Sequence, residues 1–209
     1  MEQRSDEWFN ARLGCVTASR TTDVMAKTKS GYSASRANYM AQLITERLTG
    51  TASEGFSSAA MQWGTDTEPQ ARMAYELMTG EMVEETGFVL HPTIKFFGAS
   101  PDGLVKSDGL IEIKCPNTAT HIDTLLSDKV PRKYITQMHV QMICTGRKWC
   151  DFVTFDPRLP GGMSFWMQRV HRDDDLCKDI ETETVVFLEE LGMKIAQLRE
   201  KFGVSDEGL

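Results

Sequence analysis

With 209 residues, 41% hydrophobic and 25% charged, the chain is long enough for one sizeable core, and no apolar run reaches membrane-spanning length. A formal net charge of −7 excludes a protein that coats nucleic acid through a general basic surface, but not an enzyme that meets DNA in a confined, locally basic channel. Five cysteines (Cys15, Cys115, Cys144, Cys150, Cys177) with no CxxC pair predict reduced thiols in a cytoplasmic protein, and the charged opening MEQRSDEWFN predicts no secretory leader.

The first third reads helical. Ser5 caps a short helix through Arg12 with Gly14 closing it; Thr17–Ala26 reads as a second helix. A third spans Ser33–Leu48, with apolar Tyr39, Leu43, Ile44 and Leu48 and a stop at Gly50. Gly/Ser-containing stretches at Thr28–Ser33, Ser53–Ser58 and Pro160–Gly162 are expected loops. Helix returns near Ser58, and a fresh start at Thr65–Thr67 would place Pro69 in a first turn, where proline is tolerated. Ala71, Ala74, Tyr75 and Met78 then form an apolar face ended by Gly80.

The middle is strand-rich: Glu84–Leu90, Lys95–Ala99, Gly103–Lys106 and Gly109–Lys114, the last two joined as a hairpin by the turn Ser107–Gly109. A helix follows over Pro131–Cys144, closed by Gly146, and then two strands, Trp149–Phe155 and Met163–Val170. A long helix, Asp174–Phe202, with Gly192 as a point of interruption, precedes an acidic tail expected to be disordered over 203–209. No linker divides the chain, so 1–209 is expected to be a single α/β domain with a mixed central sheet flanked by helices.

The chemistry concentrates in Ser100-Pro101-Asp102-Gly103 and Ile111-Glu112-Ile113-Lys114-Cys115-Pro116. Glu112 and Lys114 are two apart on a strand and share a face, while Ile111 and Ile113 point into a core behind them. Phosphodiester hydrolysis needs such groups: hard oxygen ligands hold Mg²⁺, which neutralises phosphate and acidifies a bound water. A lysine beside the metal stabilises charge developing in the transition state. Asp102 and Glu112 are the candidate ligands, with the Ile113 carbonyl, and Lys114 the residue that touches the nucleophile. An E-x-K triplet alone is usually a surface ion pair. The preceding Pro-Asp across a hairpin favours the active-site reading.

These residues resemble the PD-(D/E)xK nucleases, and within them the phage lambda exonuclease (viral-type alkaline exonuclease) family. The collinear pieces are Arg12–Ser19, Trp63-Gly64 with Glu68, Ser100–Leu104, Glu112–Pro116, Tyr134 with Gln137 and Gln141, and Phe155–Arg158. The resemblance implies a restriction-endonuclease-like core. It implies that Glu68 completes the metal site, against the plainer reading of a solvated helix-start glutamate, and that Gln137 lies near it; spacing alone makes Gln137 and Gln141 ordinary surface residues. Arg12, Ser19 and Ser100 match a 5′-phosphate pocket, where a guanidinium and two hydroxyls grip a terminal phosphate. Lys29 stands where the family has an arginine that reaches into the duplex groove, and Met61 at an apolar wedge position that is equally read as core. Lys129, Arg132, Lys133, Arg147 and Lys148 are further phosphate candidates.

The activity so implied is Mg²⁺-dependent 5′→3′ digestion of double-stranded DNA from a 5′-phosphorylated end, with two Mg²⁺ per site (Mn²⁺ substituting). It yields mononucleotides and a 3′ single-stranded tail. A homotrimeric ring enclosing the DNA, processive action, a single-strand annealing protein as partner and a role in phage recombination follow from the same resemblance. His91, His121, His139 and His171 lack zinc-binding spacing, and no phosphate-binding P-loop is present, so neither zinc nor ATP is expected. The competing readings are a structure-specific or restriction-type endonuclease with the same three residues, and a DNA-end clamp without catalysis.

Overall fold

The computed structural model describes residues 1–52 and 58–204. Most of the Ser53–Ser58 loop and the tail beyond residue 204 lie outside the described residues. Helix α1 (Asp6–Arg12) opens where the Ser5 hydroxyl accepts the Trp8 amide. The expected helix Thr17–Ala26 is three pieces instead: strand β1 (Val16–Thr17), a 3-10 turn (Ala18–Arg20) and α2 (Thr21–Met25). Val16 is fully buried and paired with a neighbouring strand, so tertiary pairing overrides the helical pattern at the start.

The expected Thr28–Ser33 loop holds a small hairpin, β2 (Lys27–Thr28) and β3 (Gly31–Tyr32), with Lys29 and Ser30 at its turn. Helix α3 (Ala34–Thr49) runs from a Ser33 cap to Gly50 in the left-handed conformation. Helix α4 (Ala59–Thr79) is continuous, with Pro69 in its interior, not a first turn. Proline there removes the amide that would meet the Thr65 carbonyl. The helix persists because Thr67, Ala71 and Tyr75 are buried where α4 packs on the central sheet. Met78, placed on that apolar face by periodicity, is instead 71% exposed.

Glu84–Leu90 divides into β4 (Val83–Glu84) and β5 (Val89–Leu90), which join different sheets. Strands β6 (Phe97–Ala99), β7 (Gly103–Val105) and β8 (Gly109–Lys114) follow. Helix α5 (Thr118–Ser127), capped by Asn117, lies where no element was expected; its many threonines and lone His121 mask the pattern. Helix α6 (Arg132–Thr145) ends at left-handed Gly146. Strand β9 (Trp149–Phe155), a 3-10 turn, strand β10 (Phe165–His171) and helix α7 (Asp174–Phe202) complete the chain; α7 passes unbroken through Gly192.

The architecture is mixed α/β. A five-stranded sheet has the order β10-β9-β8-β7-β4, antiparallel except for parallel β8–β9; a three-stranded sheet has the order β1-β6-β5, with β1–β6 parallel. Strand β8 divides the core. Its odd residues Ile111 and Ile113 pack with Ala71 and Tyr75 of α4, and Leu110 packs with Met138 and Met142 of α6. A third cluster joins α2, α3, α6 and α7 to β1 and β6 around Tyr39, Phe97 and Phe187. The five cysteines are buried free thiols, and no helix among the described residues is long and apolar enough to cross a membrane.

Candidate active site

The site grows from the β7–β8 hairpin, where Gly103 pairs with Ile111. Continuing that register places Asp102 opposite Glu112. Gly103 has no room for a side chain, since a Cβ would collide with Val83 and crowd Ile111. Asp102 Oδ2 accepts the Ile113 backbone amide at 2.6 Å, which pins the carboxylate to the partner strand.

Glu112 points to the α6 side of β8 and is fully buried. Its Oε1 accepts Gln137 Nε2 at 2.6 Å and its Oε2 accepts Gln141 Nε2 at 2.5 Å. Lys114 forms an ion pair with Glu112 Oε1 and lies 5.4 Å from the Tyr134 ring, which itself stacks on Phe152. Burial acts to lower the Lys114 pKa, but Glu112 and Asp102 outweigh it and the ammonium is held more firmly than in water. Burial pushes the Asp102 carboxyl well above the usual range, reinforced by the negative charges of Glu112 and Glu68; Lys114 and the Ile113 amide act in the opposite direction.

Glu68 lies on α4, one residue before Pro69, and accepts Arg4 Nη2 at 2.8 Å and Arg72 Nη2 at 3.5 Å. It shares with Asp102 a cavity of about 520 Å³, also lined by Arg4, Arg72 and Thr86. Among the described residues, no three His, Cys, Asp or Glu side chains come together closely enough to hold a metal ion as they stand. The donor chemistry still suits a hard divalent cation. Asp102 and Glu112 supply carboxylate oxygens, and their mutual repulsion is of the kind a cation relieves.

At the neighbouring edge, Arg12 Nη1 donates to Ser100 Oγ at 3.1 Å, and Trp8 Nε1 donates to the same oxygen at 2.9 Å. The Arg12 guanidinium lies 4.0 Å from the Trp8 ring centroid. Because β1 and β6 are parallel, with Thr17 opposite Gly98, the segments carrying Ser19 and Ser100 leave the same end of this strand pair. Ser19 is exposed there. Lys29 is exposed at the hairpin turn, and Met61 is 57% exposed on the first turn of α4, so it is not core.

Arg147 is consumed structurally, donating to the carbonyls of Val105, Lys106 and Gly109, and so is withdrawn from the phosphate candidates. Lys129, Arg132, Lys133 and Lys148 are exposed. Spacing placed Gln137 and Gln141 on the surface; both instead hold Glu112. The available signal was their i,i+4 spacing on a helix facing the strand of Glu112. No motif in the sequence marks Trp8, Arg4 or Arg72, although Arg72 stands one turn from Glu68.

A search of curated proteins finds no match. Solved structures do match. Two crystal structures of LHK-Exo, an alkaline exonuclease of Laribacter hongkongensis, one in complex with dAMP, are 56% identical to this chain, with a TM-score of 0.90. Each match covers 95% of this chain and 98% of that one. A phage-related exonuclease of Haemophilus somnus 129PT shares the fold at 16% identity and a TM-score of 0.73, over 88% of this chain and 96% of that one. These matches agree with the resemblance read from the sequence. The family model for the YqaJ-like viral recombinase domain matches residues 7–148, a span holding every candidate residue from Arg12 to Gln141, and the chain belongs to that family.

Proposed function

We propose that the chain is a magnesium-dependent nuclease that digests double-stranded DNA 5′→3′ from a 5′-phosphorylated end, releasing mononucleotides and leaving a 3′ single-stranded tail. The observation that carries this reading is the buried Glu112, paired with Lys114 on β8 opposite Asp102, which keeps two carboxylates and an ammonium together on adjacent strands. Asp102, Glu112, the Ile113 carbonyl and Glu68 would hold the metal, with Glu68 exchanging its arginines for it. Bound Mg²⁺ neutralises phosphate charge and acidifies a water. Lys114, held by Glu112, turns its remaining N–H donors to the attacking water or a phosphate oxygen, and Gln137 fixes Glu112.

Arg12, Ser19 and Ser100 hold the terminal 5′-phosphate, and the stacking of Arg12 on Trp8 fixes the fork before DNA arrives. Gripping that end sets the direction of digestion. The nucleotide dAMP in a structure of the 56% identical LHK-Exo supports a mononucleotide product. Lys29 and Met61, both exposed, remain the proposed groove and wedge contacts. A ring of three copies would confine DNA to a basic channel and make digestion processive, with an annealing protein loading on the tail during recombination.

The test is digestion of a linear duplex labelled at one end, with and without 5′-phosphate and Mg²⁺, beside Lys114→Ala. Magnesium-dependent release of 5′ nucleotides, faster with phosphate and abolished in the variant, is expected. Cutting of covalently closed circles at the same rate would point to an endonuclease. Tight end binding without product would point to a clamp.

A further inference from the structure

We infer that Gln141 is a positioning residue of the active site: with Gln137 it holds the Glu112 carboxylate by both oxygens, so that this ligand meets a divalent cation in one orientation. The inference rests on reading Asp102, Glu112 and Lys114 as a metal-dependent centre.

Gln141 is fully buried on α6, in a layer where Met138, Met142, Leu110 and Phe152 pack. A primary amide in apolar surroundings is costly unless its donors and acceptor are satisfied. Both ends of Gln141 are. Its Nε2 donates to Glu112 Oε2 at 2.5 Å, and its Oε1 faces the Cys150 thiol of β9 at 3.9 Å. The orientation follows from charge: the opposite amide rotamer would set a carbonyl oxygen against a carboxylate.

Gln137 and Gln141 stand one helical turn apart and reach the same carboxylate, one per oxygen. Two neutral amides freeze its torsions without adding a second positive charge to the Lys114 ammonium already paired with Oε1, which a guanidinium in place of Gln141 would do. The ordering cost of the ligand is thereby met by folding, before any metal binds. Partners behind a metal ligand set its orientation and so its affinity.

The experiment compares wild type with Gln141→Met, which keeps the volume and removes the donor. Mn²⁺ binding is titrated calorimetrically without DNA, the Mg²⁺ dependence of duplex cleavage is measured, and folding is checked by circular dichroism. The expected result is a folded variant that binds Mn²⁺ roughly ten- to hundredfold more weakly, with cleavage largely restored at saturating metal. Wild-type Mn²⁺ affinity in a folded Gln141→Met would overturn the inference and leave Gln141 a packing residue. Should that variant not fold, Gln141→Asn, which keeps the amide but withdraws it by one methylene, carries the same titration and criterion. Wild type that binds Mn²⁺ yet never cuts DNA would sink the nuclease reading, while the titration still decides Gln141. Wild type that binds no Mn²⁺ overturns both.

Discussion

Asp102 and Ile113 are joined across the β7–β8 hairpin by a 2.6 Å hydrogen bond from backbone amide to carboxylate, which fixes Asp102 beside Glu112 although the two charges repel. Removing the charge while keeping the acceptor separates function from stability. Asp102→Asn should fold, melt at the wild-type temperature or above it, and lose cleavage by at least about a hundredfold. Paired thermal melts and nuclease rates check this, and a marked fall in melting temperature would show the charge to be structural.

Arg12 and Trp8 converge on Ser100 Oγ. Arg12→Ala should therefore erase the preference for a 5′-phosphorylated end, lowering the rate on that substrate by roughly ten- to hundredfold and leaving a 5′-hydroxyl end nearly unchanged. Rates on the two ends, compared under the same salt, decide it. Equal losses on both would move Arg12 out of the terminal-phosphate pocket.

Away from the site, Asp151 is fully buried on β9 and is held by two Arg169 nitrogens at 2.8 and 2.9 Å and by the Tyr75 hydroxyl at 2.8 Å. Stripping Arg169 leaves a buried carboxylate with one neutral donor. Because Arg169 is itself 43% exposed, Arg169→Ala should cost about 2 kcal/mol, below the roughly 3–5 kcal/mol of a fully buried pair. Tyr75→Phe should cost about 1 kcal/mol. Urea denaturation of both variants measures the two values.

The acid limb of stability should report Asp156. Hydrogen bonds from Arg158, with a smaller one from Thr118, outweigh burial and lower its carboxyl to about 2. A folded pKa below the unfolded value of about 3.9 stabilises the fold above that value. The contribution is lost as pH falls from about 4 through about 2. Arg158→Ala should thus shift the urea midpoint downward at pH 6 and converge on wild type near pH 2. A gap that stays constant across this window would assign the effect of Arg158 to its packing over Trp63 instead, 4.3 Å away.

Much of this was written locally. Ser5, Ser33 and Asn117 accept amides of the first helical turn, and Gly50, Gly80 and Gly146 close helices in the left-handed conformation, so several boundaries follow from neighbours in sequence. The alternation of Ile111, Glu112, Ile113 and Lys114 likewise determined which residues face the core and which face the site, because a strand's side-chain period is two. Only the tertiary structure decided the rest. Pro69 is carried inside α4 by packing on the sheet, Met78 is turned outward, and Arg147 is spent on three carbonyls. Gln141 becomes a buried partner of Glu112 across 29 residues of chain, and Glu68 meets Arg4 across 64. Such contacts depend on which surfaces meet when the elements close on one another, and no local period or cap encodes that meeting.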